Sequence, residues 1–166
     1  MKKFTPAYGL KNRHLQTLYS SLFRKKIKLN FEIEKFTLED GDFIECYWLN
    51  KKNIKKNKSI FVIFHGLAGS YESPYIQGIM NLLAKKSLSV VLVHFRGCGA
   101  NLNLKAKSYH SGDTSDACEY LKHLHNKNKS AKIFTIGYSL GANMLLKLLG
   151  HDFINNFIKS SICISA

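Results

Sequence analysis

The sequence predicts an α/β protein built on a mostly parallel sheet with a β-hairpin ahead of it. Three observations carry that reading. Short, almost wholly apolar runs at Ser59 to Phe64, Ser89 to Phe95, Ala131 to Ile136 and Ser161 to Ser165 fit strands covered on both faces. Helical periodicity fills the intervals, and strand–helix–strand alternation produces the right-handed crossovers of a doubly wound fold. Finally, Gly137-Tyr138-Ser139-Leu140-Gly141 joins the third run to an apolar helix, which demands a tight strand-to-helix turn.

The elements follow in order. Residues 1–30 read as an N-terminal extension. Phe31 to Phe36 alternates apolar and polar side chains, and Phe43 to Leu49 does so less cleanly. Between them, Glu39-Asp40-Gly41-Asp42 carries an Asp-Gly turn signal, which predicts a β-hairpin over 31–49. A Lys- and Asn-rich polar connector spans 50–58, and the parallel βα core spans 59–166. In that core Tyr75 to Lys86 places Ile76, Ile79, Met80 and Leu83 at helical spacing, with Pro74 suited to the first turn. Ser115 to His125 does the same with Ala117, Tyr120, Leu121 and Leu124. Met144, Leu145, Leu148 and Leu149 bury the helix after Ser139. The whole of 1–166 reads as one domain, long enough to bury a sizeable core.

Composition excludes several classes. With 45% apolar and 22% charged residues the chain is a globular protein and not a disordered one. No stretch approaches the ~18 consecutive apolar residues of a membrane-spanning helix. No apolar run of signal-peptide type follows Met1-Lys2-Lys3-Phe4-Thr5-Pro6. Cys46, Cys98, Cys118 and Cys163 are scattered, without metal-site spacing, so free thiols and a cytoplasmic location are expected. The net charge of +14 invites a nucleic-acid reading, but Arg13, Arg24 and Arg96 are the only arginines among 25 basic residues. Specific phosphate recognition favours the arginine fork, so specific nucleic-acid binding is set aside. A loose attraction to anionic lipid surfaces stays open.

The chemistry centres on residues 132–146. A tight turn between strand and helix puts Ser139 at its apex and pushes the hydroxyl out of the fold. Cβ atoms at Gly137 and Gly141 would crowd the neighbouring strand and the first helical turn. The helix that follows aims free N–H groups and its positive dipole end at the serine, which suits a developing oxyanion. His65-Gly66-Leu67 ends the first apolar run in a second turn. Gly97-Cys98-Gly99 lacks the third glycine of a dinucleotide loop, because position 102 is Leu102. Neither a cofactor nor a metal site is indicated.

These pieces resemble the α/β-hydrolase superfamily, in particular its YheT-like branch of carboxylic-ester hydrolases. The resemblance rests on His14-Leu15-Gln16-Thr17, His65-Gly66-Leu67-Ala68-Gly69-Ser70, and Ser73-Pro74-Tyr75-Ile76-Gln77-Gly78. It continues through Arg96-Gly97-Cys98, the string from Tyr109 to Asp116, and Gly137 to Leu149. Ala142 departs from it, standing where the family usually has a second glycine. The resemblance implies that Ser139 is the nucleophile and that the backbone N–H groups of Leu67 and Leu140 form the oxyanion hole. His65, Gly66, Gly137 and Gly141 would support the two turns. The substrate it implies is a small-molecule or lipid ester.

A serine hydroxyl needs a histidine to take its proton and an acid to orient that histidine. In the family both follow the nucleophile, in the order Ser, Asp or Glu, His. Only 27 residues follow Ser139 here, so the triad acid and histidine are expected to be missing, as in the N-terminal half of a family member. His110, Asp113 and Asp116 suit a loop and the start of the next helix. His151, 12 residues beyond Ser139, would lie ~18 Å away along a straight helix. A sheet cut at this point would expose Ile162 and Ile164 along an unpaired edge, with poor solubility as the expected result. The alternatives to an ester hydrolase are a catalytically inactive remnant and a non-enzymatic lipid- or partner-binding domain.

Overall fold

In the computed structural model, which describes residues 4–16, 19 and 26–166, six strands form one sheet in the order β1-β2-β4-β3-β5-β6. The hairpin consists of β1 (Glu32–Thr37) and β2 (Phe43–Leu49), paired antiparallel with Glu34 opposite Cys46. β2 also pairs antiparallel with β4 (Ser89–Val93). From there β4, β3 (Ser59–Phe64), β5 (Lys132–Tyr138) and β6 (Ile158–Ile164) run parallel. The α/β fold and its largely parallel sheet are as expected.

Both faces of the sheet are covered, which is why the central strands are apolar almost throughout. Helix α2 (Pro74–Lys85) lays Ile76, Met80 and Leu83 on one face, against Tyr47, Ile63, Leu92 and Ile136. Helices α3 (Ser115–Lys127) and α4 (Leu140–Leu149) cover the other, where Tyr120, Leu121, Leu145 and Leu148 meet Trp48, Phe64 and Val91. Every residue of β2 is buried, so its weak alternation reflects burial from both sides. Among the described residues no helix is long and apolar enough to cross a membrane.

Several boundaries differ from expectation. The connector 50–58 folds into a 3-10 turn at Lys51–Asn53 and a short helix α1 (Ile54–Asn57), closed by Lys58 in the left-handed region (φ 48°). β4 stops at Val93, two residues earlier than expected, and beyond it the Phe95 N–H goes to the His65 ring instead of a strand partner. β5 starts one residue later than expected and runs on to Tyr138, at the elbow. β6 begins at Ile158, three residues early, because its exposed Lys159 and Ser160 carry no apolar signal. Ile162 and Ile164 are exposed on this edge strand, as expected. The N-terminal string His14-Leu15-Gln16-Thr17 is described only through Gln16; Thr17 lies outside the described residues. There Asn12 Oδ1 accepts the His14 N–H at 2.8 Å, opening a helical turn. All four cysteines are free.

Candidate active site

The elbow between β5 and α4 is built by what its glycines leave out. A Cβ on Gly137 would stand 2.6 Å from the Ala142 Cα, and one on Gly141 would overlap the carbonyls of His65 and Phe64. Without those atoms α4 drops onto the end of β3. The turn then forces Ser139 to φ 50° and ψ −115°, a conformation that a non-glycine residue holds only when its surroundings impose it. Two bonds impose it. The Ser139 N–H donates to the Ile164 carbonyl on β6 (2.9 Å), and the Ser139 carbonyl accepts the Asn143 N–H (2.9 Å). The side chain makes no helix cap and is exposed. Ala142 is fully buried on the helix, so its methyl group fits where the family usually has glycine.

Ser139 opens into a cleft of about 370 Å³ whose walls include Gly66, Leu67, Tyr75, Tyr138 and Ile164. The 65–69 loop comes close: a methyl group on Gly66 would touch the Ser139 Cβ (3.3 Å) and the Tyr75 hydroxyl (3.5 Å). Leu140 is the first residue of α4, so its N–H has no carbonyl one helical turn back to bond. The neighbouring N–H groups of the loop are committed. Gly66 donates to the Tyr75 hydroxyl (3.0 Å) and Ala68 to the Tyr109 hydroxyl (2.9 Å), while none of the described groups receives the Leu67 N–H. Tyr109 is itself fixed by stacking on Phe95, ring centroids 5.0 Å apart.

Beneath the loop lie two buried histidines. His65 Nε2 accepts the Phe95 N–H (3.2 Å), so Nδ1 carries the proton and donates to the Gly66 carbonyl (2.7 Å). His94 repeats this arrangement, accepting the Tyr71 N–H (3.1 Å) and donating to the Glu45 carbonyl (3.1 Å). Burial pushes both pKa values down to about 4, against smaller opposing effects of their backbone bonds. Both rings are structural and neutral. The unfolded chain therefore binds more protons than the folded one between pH ~6.5 and ~4, and stability falls as pH drops through that window. Urea titrations should show about two protons taken up on unfolding near pH 5, worth at most about 3 kcal/mol per histidine.

The remaining candidates sit elsewhere. Asp116 pairs with Arg96, Asp113 holds Lys107 (3.1 Å) and accepts the Ser115 N–H (3.1 Å), and His110 Nδ1 accepts the Gly112 N–H (3.1 Å). These three shape the loop and the start of α3, where Thr114 is the N-cap. His151 lines a different hollow with Glu39, Cys118 and Glu119. Gly97-Cys98-Gly99 faces the Glu45 carboxylate, so close that a Cβ on Gly99 would strike it; a phosphate would be repelled there. Among the described residues no histidine and no carboxylate borders the Ser139 cleft. Sequence reasoning missed the anchoring hydroxyls of Tyr75 and Tyr109. Both belong to quoted strings, but only the folded chain brings them to the 65–69 loop.

Comparison with known proteins agrees with this architecture. The chain is 37% identical to YheT of Escherichia coli over 164 residues, covering 99% of this chain and 48% of that protein. It is 30% identical over 94 residues to the medium-chain fatty acid ethyl ester synthase/esterase 2 of Saccharomyces cerevisiae, covering 56% of this chain and 21% of that one. The chain thus spans about half the length of YheT, or less of the yeast relative. The structure of the Pyrococcus furiosus esterase Pf2001 superposes with a TM-score of 0.66 at 16% identity, over 84% of this chain and 53% of that chain. A family model for the alpha/beta hydrolase fold matches residues 59–166, the stretch that holds the parallel strands, the elbow and the cleft. By that match and that topology, the chain belongs to the alpha/beta hydrolase family.

Proposed function

We propose that this chain carries the nucleophile and oxyanion hole of a serine hydrolase acting on carboxylic esters. The observation that carries the reading is the strained, exposed Ser139 directly across the cleft from the 65–69 loop. Ser139 Oγ would attack the ester carbonyl, forming an O–C bond as the carbonyl electron pair moves onto its oxygen. The Leu67 and Leu140 N–H groups would receive that oxyanion, a contribution of roughly 3 kcal/mol for each donor. Collapse of the intermediate then expels the alcohol, which takes up the proton removed from Oγ, and water later hydrolyses the acyl-enzyme, releasing the carboxylic acid and restoring the Ser139 hydroxyl. Apolar walls from Leu67, Tyr138 and Ile164 suit an acyl chain. The yeast relative, a medium-chain fatty acid ethyl ester synthase/esterase, favours the same substrate class.

Among the described residues the cleft offers the Oγ proton neither a histidine nor a carboxylate. The base and its orienting acid would come from protein beyond these 166 residues, as expected for a chain that spans half of YheT. Alone, the chain should hydrolyse p-nitrophenyl esters no faster than background plus the small contribution of the oxyanion hole. A fluorophosphonate probe tests the nucleophile directly. Slow labelling is expected at Ser139, for want of a base in this chain, and should vanish in Ser139→Ala; labelling that survives the substitution overturns the assignment. A folded chain that takes no label favours the inactive reading.

Tyr75→Phe probes the loop. It strands the Gly66 N–H, at a cost of about 1–3 kcal/mol, and should slow labelling while leaving the site of labelling unchanged.

A further inference from the structure

The chain's charge is sorted by the fold. The parallel strands β3, β4, β5 and β6 all start at one end of the sheet, and so do the connections that feed them. Ser139 lies at the other end, beyond the last residue of β5. The starting end collects five lysines from residues 51–58, two at 85–86, then Lys127, Lys129 and Lys132 around the α3–β5 connection, and Lys159 on β6. Ten of these eleven are exposed; Lys51 is half-buried and already held by Glu32 (3.1 Å) and Glu34 (3.2 Å). Among the described residues none of the other ten forms an ion pair. The carboxylates at this end are Glu32, Glu34 and Asp152, two of which Lys51 occupies.

The opposite end carries the reverse balance, with Asp40, Asp42, Glu45, Asp113 and Asp116 gathered around Arg96 and the loops beside it. A lysine-rich composition alone would scatter its charge. Here eleven lysines face only three carboxylates on one end, while five carboxylates gather at the other, so the field is directional.

We infer that this end of the sheet is a docking face for an anionic lipid bilayer. Three features select that partner. The charge is spread over connections from four strands, matching a broad sheet of headgroup charge more than a single phosphate. Among the described residues it is entirely lysine, whose compact ammonium suits delocalised attraction, with no arginine fork for a specific phosphate. No large exposed apolar or aromatic side chain, among the described residues, stands in these connections to stack on a base. The hollow at this end, between α1 and α3, is only about 160 Å³, too small to seat a nucleic-acid strand. Docked this way, the chain would hold the Ser139 cleft away from the bilayer and toward the aqueous phase.

Vesicle co-sedimentation tests the inference independently of any esterase activity. The protein should bind vesicles of phosphatidylcholine with roughly 30 mol % phosphatidylserine at low salt. Binding should fall at least about tenfold at ~0.5 M salt, where the Debye length is only a few ångströms. Substituting Lys55, Lys56, Lys127 and Lys129 by Gln should weaken binding about tenfold or more. A control set of equal charge (Lys11, Lys26, Lys28 and Lys105 to Gln) should leave it within about twofold, with unchanged circular dichroism in both sets. Equal losses from the two sets, or equal binding to pure phosphatidylcholine, would overturn the inference. So would tighter binding to an oligonucleotide than to the charged vesicles, which would assign the face to nucleic acid instead.

Discussion

Arg96→Met is expected to destabilise the fold by about 3–5 kcal/mol, a large share of the ~5–15 kcal/mol that holds a typical domain together. Arg96 is 2% exposed and grips three carboxylates. Nε and Nη2 form a fork on Asp116 (2.6 and 2.8 Å), while Nη1 donates to Asp40 (2.8 Å) and Asp42 (3.2 Å). Asp42 is fully buried. Burial pushes its pKa up, but N–H donors from Leu104, Phe43 and Lys105 and the Asn103 amide outweigh that and hold it well below the usual carboxylate range. It stays charged at neutral pH, so removing the cation leaves three like charges converging, with the half-exposed Lys107 beside Asp116 (3.3 Å) and local dipoles to offset them. Arg96→Lys keeps the charge without the fork and should cost less, about 1–2 kcal/mol. Urea denaturation at pH 7 ranks the two variants, and equal stability of all three proteins would refute the account. The same carboxylate sets an acid limit. Asp42's contribution is complete above pH ~4 and is lost as the pH falls toward its depressed folded value.

Gly141→Ala should be nearly as damaging, and for the site more so. The added methyl group would overlap the His65 and Phe64 carbonyls, which are backbone atoms at the end of a central strand and cannot swing aside. Relief requires α4 to lift off β3, which separates Ser139 from the 65–69 loop. We expect a loss of about 3 kcal/mol in stability and a fall of at least 100-fold in fluorophosphonate labelling of Ser139. Gly112→Ala is the matched control. A Cβ there meets nothing closer than 3.4 Å, so its effect should stay within about 1 kcal/mol and leave labelling unchanged. Similar behaviour of the two variants would show that the elbow does not depend on the close approach at position 141.

How much could be read beforehand follows from the range of each interaction. β3 and β4 were legible because burial on both faces leaves a plain apolar run. The elbow was legible because strand, glycines, serine and helix are contiguous in the chain. β6 was misplaced because an edge strand tolerates Lys159 and Ser160, and α1 was hidden in a polar run that reads as a loop. The Arg96 cluster could not be read at all, since Asp42 and Asp40 lie 54 and 56 residues before it. The same holds for Tyr109, whose bond to Ala68 spans 41 residues. Local chemistry is written in order along the chain, whereas the supports of the site are assembled from distant segments.

The bond from the Ser139 N–H to the Ile164 carbonyl has a mechanical consequence. It hooks the strained Ser139 to the outermost ribbon of the sheet, whose far side offers unpaired amides and carbonyls. The Ser139 backbone is thus held from the rim of the sheet on one side and by the Asn143 N–H of its own helix on the other.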